Sequence, residues 1–282
     1  MFTLVASISC SVAVSVLLKI ARSRQIDVAQ AIAFNYVMAV TLTVLLLNPD
    51  PQGFIHNPTT PYWVVIALGL LLPSIFLVMA KAVKHAGIVL SDAAQRLSLI
   101  IPLIAAVLIF GESLQGFKLL GILLGLAALW CLTLGSKQVD SSPHPHAMHW
   151  LLGVWVGYGV IDVLFKQLAK SGAAFSSSLL ITFSLAGVLL FIWLLSQKVT
   201  WRLRNLYAGL LLGLLNFGNI YFYIRAHQQF PDNPTLVFSA MNIGVISVGT
   251  VIGAVAFKEK LSRSSLLGIG LAICAIIALV PR

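Results

Sequence analysis

The sequence predicts an all-α integral membrane protein whose ten transmembrane helices form two inverted repeats of five. Three observations support this prediction: an apolar composition, a series of apolar segments of spanning length, and motifs that recur in the second half. Of the 282 residues, 59% are hydrophobic and 9% are charged, whereas soluble domains contain about 25% charged residues. The composition therefore excludes an ordinary soluble domain.

Each apolar segment is long enough to cross a bilayer as a helix, which requires about 20 residues. The segments are too long and too uniformly apolar for the alternating strands of a membrane β-barrel. In chain order, the ten predicted spans cover residues 2 to 21, 29 to 47, 62 to 83, 88 to 110, 115 to 134, 149 to 170, 175 to 195, 205 to 227, 234 to 257 and 263 to 280.

The net charge of +10 comes from basic residues scattered singly between the spans. Nucleic-acid binding proteins instead carry a basic stripe or patch, so no nucleic-acid partner is expected. When the breaks between spans are assigned alternately to the two faces, most Lys and Arg residues fall on one face. The positive-inside rule places that face in the cytoplasm and both termini outside, in a cell (inner) membrane.

A polar linker at residues 135 to 148 separates an N-terminal repeat of residues 1 to 134 from a C-terminal repeat of residues 149 to 282. Its Pro and Ser content is typical of a loop. The histidines His144, His146 and His149 are a poor candidate metal site, because a proline-spaced loop does not fix a coordination geometry. Neither a metal nor a cofactor is expected.

The two halves share an ordered set of matching residues. An offset of 147 relates Lys19 to Lys166, Glu112 to Glu259, and LLGI at 119 to 122 to LLGI at 266 to 269. Because each half contains an odd number of spans, the second half enters the membrane in the opposite orientation. Inverted halves can exchange conformations, which is the physical basis of alternating access, so a solute carrier is the favoured class.

Three motifs give a resemblance to a known family: FGESL followed by LLGILLG after span 4, FKEKL followed by LLGIG after span 9, and QRLSLIIP inside span 4. They resemble the drug/metabolite transporter superfamily and its EamA-like ten-span members. The resemblance implies a transporter with spans 1, 3, 4, 6, 8 and 9 around a central cavity and spans 5 and 10 at the periphery. Relatives move amino acids, sugars, choline, drugs and other metabolites, and many have cytoplasmic termini, unlike the topology predicted here.

Polar side chains inside apolar spans are costly, and they mark solute paths or contacts between helices. Span 4 has Asp92, Gln95 and Arg96 on one face. Arg96 is an anchor for an anionic or zwitterionic substrate group, which its planar guanidinium can bind through two hydrogen bonds, or it forms with Asp92 a gating pair that breaks and re-forms during the cycle, or it is simply the partner of Asp92 in a salt bridge. The other predicted substrate-binding residues are Ser15, Tyr158, Asn219, Tyr223 and Asn242.

Asp162 and Lys166 lie one helical turn apart in span 6, and the offset of 147 matches them to Ser15 and Lys19. Asp162 is about 3 Å from the middle of its span, at a rise of about 1.5 Å per residue. Two interpretations stay open: an ion pair between the two residues, or a carboxylate that carries a proton during transport. Residues that break or loosen a helix at matched places in the two halves predict hinges, and they are Pro73, Pro102, Gly218 and Gly249.

Two further patterns concern helix ends and helix crossings. Glu112 and Glu259 each precede a span, where an acid favours the positive end of the helix dipole, and both are predicted to be caps. Glycines spaced four apart predict close crossings of helices, and they are Gly121/Gly125, Gly153/Gly157, Gly209/Gly213 and Gly249/Gly253.

The favoured function is a secondary transporter that moves a small organic metabolite or drug, such as an amino acid or other zwitterion, by alternating access. Export is the expected direction, and a proton is the candidate coupling ion. No Walker-type motif indicates ATP-driven pumping, and no HExxH or GxSxG motif indicates an enzyme. The alternative is a passive channel or lipid scramblase. The expected partners are a small-molecule substrate and the lipid bilayer, for a chain that is a monomer or a weak homodimer.

Overall fold

Helices account for almost all of the chain that the structure, a computed structural model, describes. The described residues are 1 to 50, 52, 54, 60 to 113, 116 to 135, 147 to 172, 175 to 257 and 262 to 279, and no strand occurs among them. The linker histidines His144 and His146 and the predicted cap Glu259 lie outside these ranges. The prediction of an all-α fold is confirmed.

The helices follow the predicted spans, with one difference at spans 3 and 4. The element that covers span 3 and the first part of span 4 consists of two helices that meet at a kink, and a short helix completes span 4. At the junction, Gly87 has φ 83° and ψ 166°, a conformation that is essentially restricted to glycine. The helices are α1 (Phe2–Ser23), α2 (Val28–Leu47), α3 (Tyr62–Leu97), α4 (Ile100–Leu108), α5 (Phe117–Gly135), α6 (Ala147–Ala169), α7 (Phe175–Ser196), α8 (Leu203–Gln229), α9 (Pro234–Phe257) and α10 (Arg263–Leu279).

Eight segments in the described ranges are long and apolar enough to cross a membrane. Two further apolar helices, Phe117–Leu132 and Arg263–Leu279, are shorter. The protein is therefore a multi-pass membrane protein, and the arrangement as ten spans in two inverted repeats stays a prediction. The eight segments are Phe2–Ala21, Val28–Leu47, Tyr62–Gly87, Leu90–Leu108, Ala147–Ala169, Phe175–Ser196, Leu203–Gln229 and Pro234–Ala256.

The chain forms two compact units, and each unit combines segments from both halves of the sequence. Unit I consists of Met1, Leu77–Val163 and Gln229–Arg282, and unit II consists of Phe2–Phe76 and Leu164–Gln228. The helices α3 and α6 contribute residues to both units. The proposed repeat boundaries, at residues 134 and 149, describe the sequence pattern and stay a prediction.

Within unit I, α5 packs along α10 through small residues. A Cβ placed on Gly121 would lie 2.6 Å from Leu279 Cγ, and one placed on Gly268 would lie 2.7 Å from Leu132 Cγ. In a membrane, helix association depends on such close packing because lipid chains are as apolar as the helix surfaces. The predicted crossing at Gly121/Gly125 is thus a contact inside the chain.

Within unit II, the pair Gly209/Gly213 lets α8 approach the backbone of α2. A Cβ on either glycine would lie 2.5 Å from a carbonyl oxygen of α2, that of Ala31 or that of Asn35. Beside this crossing, a buried polar network joins the two helices. Asn205 Nδ2 donates to Gln30 Oε1 at 2.8 Å, and Gln30 Nε2 donates to Asp27 Oδ2 and to the Thr200 carbonyl oxygen, each at 3.0 Å.

Glu112 is a cap, but it caps α9 and not α5, the helix that it precedes. Its Oε2 accepts a hydrogen bond from the Thr235 backbone N–H at 2.9 Å, and its Oε1 lies 3.0 Å from Lys118 Nζ. Thr235 is the second residue of α9, where the first N–H groups of a helix have no partner inside the helix. The carboxylate therefore joins the segment after α4 to the start of α9 inside unit I.

Candidate functional site

Unit I brings together four of the predicted site residues on α3 and α6. Arg96 Nη2 lies 3.2 Å from Asp92 Oδ1, which is the i,i+4 ion pair that the sequence indicates. Tyr158 interacts electrostatically with Arg96, Asp92 and Asp162. We call Asp92, Arg96, Tyr158 and Asp162, with the neighbouring Gln95, the Arg96 cluster.

The ion pair does not satisfy the Arg96 guanidinium. The Asp92 side chain is 54% exposed and that of Arg96 is 18% exposed. Arg96 Nε is buried and has no hydrogen-bond partner. A buried donor without an acceptor costs about 1–3 kcal/mol. The geometry therefore leaves one hydrogen-bond donor of a charged group without an acceptor.

The Arg96 cluster adjoins a break in span 4. The helix α3 ends at Leu97 and α4 begins at Ile100, and the predicted hinge Pro102 lies in the first turn of α4. In this break the Leu99 N–H donates to the Arg96 carbonyl oxygen at 3.2 Å, and the Ile101 N–H donates to that of Ser98 at 3.0 Å. These are bonds to the third preceding residue, which replace the α-helical pattern where proline cannot donate.

The other predicted hinges lie inside helices, away from the kink at Gly87 and from the break in span 4. Pro73 is inside α3, and Gly218 is inside α8, where an added Cβ would lie 3.1 Å from Cys10 Sγ. A Cβ added to Gly249 in α9 would have no atom within 4 Å. Bending at these three positions stays a prediction.

In unit II, the ammonium group of Lys166 is buried beside the end of α8. Lys166 is 1% exposed, and its Nζ lies 3.5 Å from the His227 carbonyl oxygen. The His227 ring packs edge-on against Tyr223 at 4.8 Å between centroids, and Tyr223 packs against Phe165 at 6.2 Å. The sequence did not indicate that His227 belongs beside Lys166, because the two residues are 61 positions apart on different helices.

The remaining predicted substrate contacts have structural partners. Ser7 Oγ lies 2.9 Å from the Asn219 carbonyl oxygen and 3.0 Å from Asn219 Oδ1, so this amide takes part in a contact between α1 and α8. Ser15 is exposed and donates to the Ser11 carbonyl oxygen of its own helix. Asn242 Nδ2 donates in the same way to the Phe238 carbonyl oxygen. Substrate contact by Ser15, Asn219 and Asn242 stays a prediction.

Metal-ligating side chains do not cluster in the described part of the chain, where no group of three or more His, Cys, Asp or Glu residues could hold an ion. Of the three histidines in the middle of the sequence, His149 is described, and it lies exposed in the first turn of α6.

Comparison with known proteins identifies the family. A model of the EamA-like transporter family matches residues 1–134. A protein of Haemophilus influenzae, described as uncharacterized, is 51% identical over 285 residues, which cover 99% of this chain and 97% of that protein. A solved crystal structure of a protein aligns with a TM-score of 0.75 and 14% identity, covering 99% of this chain and 95% of that one, and this shows a shared fold. The resemblance that the sequence motifs predicted is thus confirmed for residues 1–134, which match the EamA-like transporter family of the drug/metabolite transporter superfamily.

Proposed function

We propose that this protein is a secondary transporter that exports a small zwitterionic organic solute across the inner membrane by alternating access. The Arg96 cluster is the proposed binding site, and transport, not catalysis, is the proposed activity. The observation that supports this most directly is the buried Arg96 Nε, which has no hydrogen-bond partner. Family membership supports the coarser statement, a membrane transporter of small substrates.

The proposed recognition step is an exchange of carboxylates on Arg96. Nε and Nη2 lie on the same edge of a guanidinium, and a carboxylate that binds this edge accepts two parallel hydrogen bonds. Asp92 occupies Nη2 through a single contact of 3.2 Å. A substrate carboxylate that displaces Asp92 gains the Nε bond as well. Because the Asp92 side chain is 54% exposed, the released carboxylate recovers hydration.

The charges of the cluster favour a zwitterion over a simple anion. The cluster contains one guanidinium, two carboxylates and a phenol that interacts electrostatically with all three charged groups. A dianion would be repelled by Asp92 and Asp162, whereas an amino group on the solute would be attracted to them. An amino acid or a similar solute, with one carboxylate and one amine, matches both signs.

Asp162 is the proposed proton carrier, and Lys166 is the proposed second member of the proton-coupling pair. Asp162 is half-buried in the middle of an apolar helix, where ionisable residues typically serve transport or proton transfer. Lys166 follows one turn later and is buried. A carboxylate that alternates between a protonated and an ionised form can couple solute movement to a proton gradient.

A binding screen followed by transport assays tests this proposal. The detergent-purified protein is first screened by thermal shift against amino acids, amines and carboxylic acids, since a ligand of the folded state raises its stability. Solutes that bind are then assayed in proteoliposomes with and without a pH gradient. Saturable flux that responds to the gradient is expected. Flux that is linear in concentration would support a channel, and loss of lipid asymmetry without solute flux would support a scramblase.

Two variants test the assigned roles. Arg96→Lys keeps the positive charge but loses the planar guanidinium, which can donate two parallel hydrogen bonds. The loss of one hydrogen bond to a charged group, about 1.5–3 kcal/mol, should weaken solute binding roughly 10- to 150-fold. Asp162→Asn should abolish flux driven by a pH gradient while solute exchange continues. Lys84→Ala, which removes an exposed basic charge on the other side of the kink at Gly87 from Arg96, is the control. If Arg96→Lys binds the solute with wild-type affinity, Arg96 does not bind the solute carboxylate.

A further inference from the structure

The break in span 4 leaves backbone carbonyl groups that need hydrogen-bond partners. In a continuous helix the carbonyl oxygens of Gln95, Leu97 and Ser98 would accept from the amides of residues 99, 101 and 102. Pro102 has no N–H, and the amides of Leu99 and Ile101 donate elsewhere, to Arg96 and Ser98. Inside a membrane, a carbonyl group without a partner is strongly unfavourable, because no water is present to bind it.

The Ser98 carbonyl oxygen accepts from the Ile101 N–H, and side chains provide the missing partners of Gln95 and Leu97. Ser98 Oγ donates to the Gln95 carbonyl oxygen at 2.6 Å. Trp155 Nε1, on α6, donates to the Leu97 carbonyl oxygen at 3.0 Å. Of these two donors, Trp155 is the one that comes from another helix, so it attaches the break in span 4 to α6.

A second contact, one turn further along α6, brings the two backbones together. A Cβ on Gly159 would lie 2.6 Å from Ile101 Cβ and 3.0 Å from the Ser98 carbonyl oxygen. Trp155 and Gly159 are four residues apart and therefore share a face of the helix. Tyr158 and Asp162, at spacings of three and seven from Trp155, belong to the same face.

We propose that Trp155 is a positioning residue for Arg96, which directly precedes the carbonyl group that the indole binds. Its N–H holds the turn of α3 that carries Arg96 against the face of α6 that carries Tyr158 and Asp162. The indole bond also depends on the break, because in a straight helix the Leu97 carbonyl oxygen would accept from the Ile101 N–H. Trp155 therefore stabilises the broken form of span 4. The role in solute binding rests on the proposed function, whereas the effect on the geometry of Arg96 does not.

Chemical modification of Arg96 tests the geometric part without a substrate. Phenylglyoxal reacts with arginine side chains, and mass spectrometry of peptides gives the rate at each site. The variant Trp155→Phe keeps an aromatic ring and removes the N–H donor. We expect modification of Arg96 to accelerate about two- to tenfold, the range for the loss of one neutral hydrogen bond, while modification of Arg225 in unit II stays unchanged.

Trp193→Phe is the matched control, since it makes the same chemical change on α7 in unit II. It should leave the Arg96 rate at the wild-type value. Gly159→Ala is a second variant, because its methyl group would push α6 away from the break, and it should accelerate Arg96 modification in the same direction. An unchanged Arg96 rate in folded Trp155→Phe and Gly159→Ala proteins would overturn the proposal.

The functional part is tested in proteoliposomes with L-leucine and L-alanine as zwitterion probes. Trp155→Phe should raise KM about two- to tenfold with little change in the maximal rate, and it should have no further effect in an Arg96→Ala background. If Trp155→Phe alters the Arg96 rate but leaves KM unchanged, the geometric role stands and the role in binding is rejected. If the wild type transports neither amino acid, the proposed function is rejected for these solutes. The modification rates of Arg96 still decide whether Trp155 positions it.

Discussion

The carboxylate of Glu112 provides the sharpest test of the packing inside unit I. In Glu112→Ala the Thr235 N–H, which is buried at the start of α9, loses its acceptor. A hydrogen bond to a charged group contributes about 1.5–3 kcal/mol. A negative charge at a partly buried helix N-terminus contributes up to about 2 kcal/mol more, although the two values overlap because they describe one contact.

The ion pair with Lys118 adds little to this estimate. The Lys118 side chain is 28% exposed, whereas that of Glu112 is 1% exposed, so the ammonium group can turn toward water when its partner is removed. Partly exposed pairs contribute about 0–1 kcal/mol. We therefore expect Glu112→Ala to lower the free energy of unfolding by roughly 2–4 kcal/mol. Glu112→Gln, which keeps an oxygen acceptor for Thr235 but loses the charge, should cost about half as much.

Reversible unfolding in mixed micelles measures these differences, with helicity followed by circular dichroism as the fraction of denaturing detergent increases. Asp232→Ala is the matched control, because it removes an acidic residue two positions before the same helix from an exposed site. Surface substitutions of this kind change stability by about 0.5 kcal/mol or less. If Glu112→Ala destabilises the protein no more than Asp232→Ala, the cap does not stabilise α9 and the reasoning fails.

Two contacts between α2 and α8 in unit II give further predictions for the same assay. Asn205→Ala should lower the free energy of unfolding by about 1–3 kcal/mol. Its effect should not add to that of Gln30→Ala, because the two side chains share one buried hydrogen bond. Full additivity of the two effects would show that this hydrogen bond contributes nothing. Gly209→Ala should destabilise by about 1–3 kcal/mol, since its methyl group would overlap the Ala31 carbonyl oxygen. Gly270→Ala, which meets no atom within 4 Å, should be neutral or stabilising, and equal effects of the two alanines would refute the close crossing.

The sequence predicted the site residues best where the partners are neighbours on one helix. The pair Asp92 and Arg96 follows from i,i+4 spacing, and the structure shows it. Glu112 was predicted to cap the span that follows it, and this was wrong, because its carboxylate accepts from the start of a helix 123 residues away. The bond from Trp155 to Leu97 spans 58 residues. Neither partner has a local signal, although Pro102 indicates that some carbonyl group in span 4 must find another donor.

By itself the sequence determined the class of the protein: an all-helical membrane chain with apolar segments in a fixed order and ionisable residues inside several of them. These properties are local, because insertion of a helix depends on the hydropathy of about 20 consecutive residues. Only the tertiary structure decided which helices meet. It showed that each compact unit takes segments from both halves and that α6 attaches to the break in span 4. In lipid, the apolar faces of helices differ little in solvation, so small residues and single hydrogen bonds determine which helices pack together. These contacts join residues far apart in the sequence, and only the folded structure shows them.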